Sequence, residues 1–195
     1  VKGAKLYILN ENQEVMGSWT SGDQPHYVEK LPIGTYTLLE ETAPKGYIVA
    51  NKVTFEIKDT GDIQGAKMED EQTMGKVILN KTDKDSKKPM KGVEFALCDS
   101  KGKVLETLVT DSAGHAESKN YPITIFKNGQ YKKAITYILK ETKTRDGYQL
   151  DETEHKIQFE YVNDRTPVIE YTLDLTNEKA PEKDTPETSE NQGVS

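Results

Sequence analysis

A single cysteine, Cys98, leaves this chain of 195 residues without any possible internal disulfide. No apolar run is long enough to span a membrane, and no stretch shows sustained helical periodicity. There are only three histidines, His26, His115 and His155, and none has metal-ligand spacing, so they read as turn or solvated residues and no metal or cofactor is expected. Lys and Arg (26) are outnumbered by Asp and Glu (33), and the net charge of −7 argues against nucleic acid and against anionic membrane surfaces. One Trp and four Phe stand against ten Tyr, with 34% hydrophobic residues, which predicts modest cores in need of some other support.

What is present is a repeat. Tyr36-Thr-Leu-Leu-Glu40 runs on to Gly46-Tyr47, and Tyr137-Ile-Leu-Lys-Glu141 runs on to Gly147-Tyr148. In each copy the glutamate follows the first tyrosine by four positions and the second tyrosine follows it by eleven, so the two are in register and two copies of one domain are implied. Side chains alternate faces along a strand, which puts Tyr36, Leu38 and Glu40 on one side and Tyr137, Leu139 and Glu141 on one side. An acid therefore ends an apolar, core-facing row in both copies, and a carboxylate so placed needs a partner.

The second copy offers partners from both ends of the domain. In Lys76-Val-Ile-Leu-Asn-Lys81 the residues Val77, Leu79 and Lys81 share a face; in Glu170-Tyr-Thr-Leu-Asp-Leu-Thr-Asn177 so do Tyr171, Leu173, Leu175 and Asn177. An amine, an acid and an amide converge on one core. Burial disfavours ammonium and carboxylate relative to their neutral forms, making a buried amine a nucleophile and a buried acid a carrier of protons. Glu141 is expected to polarise the Asn177 carbonyl and to pass protons to departing ammonia while Lys81 attacks, with no metal or cofactor.

At these residues the chain resembles the collagen-adhesin B-type and SpaA-type pilin domains, prealbumin-like β-sandwiches of Gram-positive surface proteins that carry intramolecular isopeptide bonds. Val77-Ile-Leu-Asn-Lys-Thr-Asp83, Lys88-Pro-Met-Lys-Gly-Val-Glu-Phe-Ala-Leu97, Tyr137-Ile-Leu-Lys-Glu141, Asp146-Gly-Tyr148 and Leu175-Thr-Asn177 are similar to the successive signatures of that family. Lys81, Glu141 and Asn177 match its bond-forming positions. The first copy contributes Lys2-Gly-Ala-Lys-Leu-Tyr-Ile8, Leu31-Pro-Ile-Gly-Thr-Tyr-Thr-Leu-Leu-Glu40, Ala43-Pro-Lys-Gly-Tyr47 and Met68-Glu-Asp70, so that the resemblance spans nearly all of residues 1–179. It implies an all-β chain of two tandem prealbumin-like (Ig-like) β-sandwich domains.

Gly3 aligns with Gly92, an offset of 89 that places the first copy's counterpart of Lys81 before residue 1. Domain one thus reads as truncated, lacking its first strand, with Glu40 as the equivalent catalytic acid and Asp70 as an orphan acceptor. Ala66, Met68 and Asp70 should share a strand face. Lys2 and Lys5 fall off the inward row of Ala4, Leu6 and Ile8 and read as solvated. A lysine-bearing strand supplied in trans is a possible partner for this domain.

Turn signals at Gly61-Asp62, Gly102-Lys103 and Asn128-Gly129 and alternation in Val53–Ile57 and Lys156–Phe159 fit the all-β reading. The glutamate offset of 101 and the acceptor offset of 107 assign domain two about twelve extra residues at Lys119–Lys132 and six near Asn163–Pro167. The domains are expected at residues 1–73 and 74–179, with a short junction that limits bending, and 180–195 as a Pro/Glu/Thr-rich linker. Asp83-Lys-Asp85-Ser86 reads as a polar turn and not a calcium loop, Asn80-Lys-Thr82 as a sequon without use, and Cys98 as a structural thiol. No signal peptide, membrane segment or LPxTG motif is legible, and the chain reads as part of a larger extracellular cell-wall protein. The expected function is a structural stalk module of an adhesin or pilin, neighbouring domains being its partners, and not a turnover enzyme. The alternative is a ligand-binding adhesin domain for a host or matrix surface, which would need an exposed patch around Tyr121, Ile125 and Phe126.

Overall fold

Alternating burial builds this chain from strands alone. A computed structural model describes residues 1–184, in which there are sixteen strands and no helix. In domain one, β1 (Lys5–Leu9), β2 (Val15–Thr20), β3 (Gly34–Thr42) and β5 (Val53–Ile57) form an antiparallel sheet in the order β2-β1-β3-β5, while the short β4 (Tyr47–Ile48) pairs with β6 (Glu71–Gln72).

Domain two begins with β7 (Met74–Asp83), in which every second residue from Gly75 to Asp83 is buried. One sheet has β7 at its centre, with β10 (His115–Glu117) and β11 (Tyr121–Pro122) against one edge and β16 (Val168–Asn177) parallel along the other. The second sheet runs β15 (His155–Ile157), β14 (Tyr137–Lys143), β8 (Glu94–Asp99), β9 (Val104–Val109). Val77, Leu79, Phe95, Leu97, Leu139 and Ile157 fill the space between them. The added segment at 119–132 contains a hairpin of β12 (Thr124–Lys127) and β13 (Gln130–Ala134), turned by Asn128 and Gly129, both at positive φ as a type I′ turn requires.

The repeat is visible in the fold. Tyr47 pairs with Gln72 in domain one, and the residues 101 and 107 positions on, Tyr148 and Lys179, form the matching bridge. One expectation fails: residues 58–70 lie in no strand, and Ala66 is exposed. The counterpart β16 owes its extension to ten paired positions along β7, and among the described residues none pairs with 61–70. Without a ladder, alternation alone does not hold a chain extended. Domain one accordingly has a small core of Ile8, Tyr36 and Leu38, and Ile63 is 88% exposed. Of the expected linker, residues 185–195 lie outside the described residues.

Gly114 closes the turn before β10 at φ +72, and a Cβ there would sit 2.2 Å from the Lys81 carbonyl oxygen. Gly102 has a similar φ of +85 with nothing within 4 Å. Gly114→Ala is expected to cost about 2–4 kcal/mol in the guanidinium unfolding of domain two, against about 1 kcal/mol for Gly102→Ala. Equal losses would show that the close approach to Lys81 is not what restricts position 114.

Candidate functional site

Lys81 enters the core because it continues the inward row of Val77 and Leu79 on β7, and at 1% exposure it is, with Phe95, among the largest fully buried side chains of the described residues. Its backbone N–H donates to Gly114 O at 2.7 Å, and its carbonyl accepts Met90 N at 2.9 Å, so the strand is fixed on either side of the amine. The aliphatic stem leads Nζ to 5.5 Å from the centre of the Phe95 ring. Glu141 arrives on β14, where it is paired in register with Phe95. Its Oε1 lies 3.1 Å from Lys81 Nζ, both side chains being 1% exposed.

The other oxygen, Oε2, accepts the Asp151 backbone N–H at 2.7 Å and Asn177 Nδ2 at 2.8 Å. Asn177, at the last position of β16, also donates from Nδ2 to Gln149 O at 2.8 Å. The structure thus brings Lys81, Glu141 and Asn177 together. It differs from expectation in one contact, since Glu141 faces the amide nitrogen of Asn177 and not its carbonyl oxygen. Lys81 Nζ, Glu141 Oε1 and Asn177 Oδ1 are buried without an aligned hydrogen bond. Lys81 Nζ and Glu141 Oε1 still face each other at 3.1 Å, which leaves Asn177 Oδ1 as the group without a partner in a place where buried polar atoms are nearly always satisfied.

Asp83, two residues beyond Lys81, accepts the Tyr148 hydroxyl at 2.7 Å and the backbone N–H groups of Asp85 and Ser86. These donors hold its carboxyl well below the usual carboxylate range, Ser86 contributing most. The segment is a polar turn that ties β7 to the Gly-Tyr signature. Phe95, Gly114, Gln149 and Asp151 were not identifiable from sequence. Glu40 and Glu141 each accept a backbone N–H ten residues later, from Ala50 and Asp151, and the differing side chains there conceal a shared backbone donor.

In domain one Glu40 is 2% exposed, and its Oε2 accepts Ala50 N at 2.5 Å. Burial pushes its carboxyl up to about 7, the Ala50 N–H opposing and the charges of Asp70 and Asp164 adding. Asp70 Oδ2 lies 3.7 Å from the Val1 nitrogen. Lys2 pairs with Asp23 and Lys5 with Glu41, both on the surface. Elsewhere, His26 stacks on Trp19 at 4.2 Å, and His115 bridges Asn80 and Glu117 on the outer face of the β7 sheet. His155 lies in β15 and Cys98 is buried in β8. No group of three or more His, Cys, Asp or Glu among the described residues is placed to hold a metal ion.

The model of the SpaA prealbumin-like fold domain matches residues 1–72 and again 75–179. The chain belongs to this family. Among solved structures, the SpaA-type pair is similar to the TIE protein of Bacillus anthracis, with 24% identity and a TM-score of 0.62 over 92% of this chain, which spans 31% of that protein's length. It is also similar to the minor pilin GBS52 of Streptococcus agalactiae, at 20% identity and TM-score 0.41 over 95% of this chain and 87% of that one. The shaft pilin SpaA of Lactobacillus rhamnosus GG gives 14% identity and TM-score 0.39 over 94% and 90%. No curated protein sequence matches.

The raised carboxyl of Glu40 makes domain one sensitive to pH. Between its ordinary value of 4.5 and about 7 the folded domain keeps a proton that the unfolded chain has released. Its contribution is therefore full below about 4.5 and is lost as pH rises through 7. Trp19, the single tryptophan, lies in β2 and reports this domain alone. The urea midpoint read from Trp19 fluorescence should be higher at pH 5 than at pH 8, and Glu40→Gln should remove most of the difference.

Proposed function

We propose that this SpaA-type pair is a stalk module of a Gram-positive cell-wall adhesin or pilin, clamped in domain two by an amide between Lys81 and Asn177 that Glu141 catalyses. The observation that carries the reading is Glu141 itself. One carboxyl oxygen faces the lysine amine and the other the amide nitrogen that would leave.

In the chemistry this supports, neutral Lys81 Nζ attacks Asn177 Cγ, Glu141 takes a proton from the amine through Oε1 and returns one through Oε2 to Nδ2, and the C–Nδ2 bond breaks. One Nζ–Cγ bond forms and one molecule of ammonia is released. Asp151 N–H and Gln149 O hold the carboxyl and the amide in place. The reaction runs once, so the domain is not an enzyme in turnover.

The parallel pairing of β7 with β16 gives the bond a mechanical meaning. Lys81 and Asn177 lie near the same end of adjacent strands, Leu175 being level with Lys81. Tension entering at Met74 would pass along β7, cross the amide and leave after Asn177, bypassing residues 82–176. By analogy with disulfides, closing a loop on the order of 100 residues contributes about 4–5 kcal/mol. Family membership supports an extracellular location, and among the described residues no helix is long and apolar enough to cross a membrane.

The alternative of a host-binding patch around Tyr121, Ile125 and Phe126 rests on Ile125, the one of the three that is exposed. Tyr121 packs against the core and donates to Glu106 at 2.7 Å, while Phe126 stacks on Tyr47 of domain one. Domain one has its own acid and acceptor, Glu40 and Asp70, and no described strand pairs with residues 61–70, so a lysine-bearing strand laid along them would bring an amine to Asp70, with water as the leaving group. A peptide covering residues 76–84 should add to Asp70 in wild-type protein and fail to add in Glu40→Ala. Unaltered protein mass in both would remove the strand-accepting role.

Intact mass tests the clamp directly. Wild-type protein should be lighter than its sequence by about 17 Da, one ammonia, and Glu141→Ala or Lys81→Ala should show the full sequence mass. A wild-type mass equal to the sequence mass would overturn the crosslink.

A further inference from the structure

We propose that the two segments by which domain two exceeds domain one form a lock on the 43–50 loop of domain one, joining the domains into one rigid unit and supporting Glu40 from across the junction. This goes beyond the stalk reading, which is compatible with hinged or stiff domains alike.

Both added segments converge on that loop. Asp164, in the connection to β16, spans it: Oδ2 accepts Ala43 N at 2.9 Å and the carbonyl oxygen accepts Val49 N at 2.7 Å. Tyr161 donates its hydroxyl to Tyr47 O at 3.1 Å. From the hairpin, Phe126 stacks on the Tyr47 ring at 4.6 Å between centroids, and Gly129 O accepts the Tyr47 hydroxyl at 2.7 Å. The fit is close, because a Cβ on Gly46 would lie 2.7 Å from the Phe126 ring.

The loop held in this way also carries the donor of Glu40. Ala50, next to Val49, gives its N–H to Glu40 Oε2. In domain two the corresponding tyrosine, Tyr148, gives its hydroxyl to Asp83 at the end of that domain's own first described strand. Tyr47 gives the same group to the neighbouring domain. A repeated structural tyrosine has become an interdomain fastener, and Asp164 is a positioning residue for the domain-one acid.

The lock is tested on the full chain by backbone ¹⁵N relaxation and amide exchange. Wild-type domains should tumble with one correlation time, with Ala43, Val49 and Ala50 amides protected. Phe126→Ala/Asp164→Ala should separate the tumbling times and speed exchange at these three amides by at least about tenfold, with the Leu79 and Leu139 amides of the domain-two core unchanged as the check on folding. Asp164→Asn, which keeps a side-chain acceptor for Ala43, should restore protection there when Phe126 is intact. Independent tumbling in the wild type, or a double variant indistinguishable from it, would overturn the lock. The 17-Da mass test is read separately, so loss of the lock and loss of the crosslink are distinct outcomes.

Discussion

An amine in the middle of a small β-sandwich is the constraint to which domain two is built. Moving a lysine out of water costs several kcal/mol unless something in the interior receives it. Glu141 does so at 3.1 Å from the facing sheet, but that places a second ionisable group in the same dry space. Asp151 N–H and Asn177 Nδ2 supply what the carboxyl needs, which ties the loop after β14 and the end of β16 to the same point. In the proposed reaction the Lys81 amine and the Asn177 primary amide would become one neutral secondary amide with loss of ammonia, Glu141 keeping its carboxyl beside it.

The same constraint orders the strands. Lys81 and Asn177 come to one end of the domain because β7 and β16 pair in parallel over ten positions, Leu175 being level with Lys81. Antiparallel pairing would carry the Asn177 end of β16 to the opposite end of β7. The parallel ladder therefore brings Lys81 and Asn177 to one end of the domain, and a bond between them, as proposed, would lie along the chain direction.

Much of this was legible because strand parity is a strong rule. The inward rows ending in Lys81, Glu141 and Asn177 follow from period-two alternation, and the repeat fixed which glutamate matched which. The rule failed at Ala66–Asp70, where alternation is present without a neighbour to make it a strand. Backbone groups were invisible for a different reason. The N–H of Asp151, the carbonyls of Gln149 and Gly114 and the hold of Asp164 on Ala43 and Val49 depend on where the chain passes and not on which side chain it bears. Phe95 lay within a quoted signature, but its place beside the amine needed the register of β8 against β14.

The two copies show how one loop can be put to different use. In domain two the Gly-Tyr loop closes on its own domain, Tyr148 holding Asp83 and so the end of the strand that bears Lys81. In domain one the loop faces the next domain, and the hairpin and Asp164 take up its free donors. Those donors would otherwise be exposed polar groups on a domain whose buried apolar core is only Ile8, Tyr36 and Leu38. Covering them with the neighbour makes part of domain one's order conditional on domain two. In a tandem array, support of this kind passes from each module to the one before it, and stiffness at the junction follows from the same contacts that hold the smaller domain together.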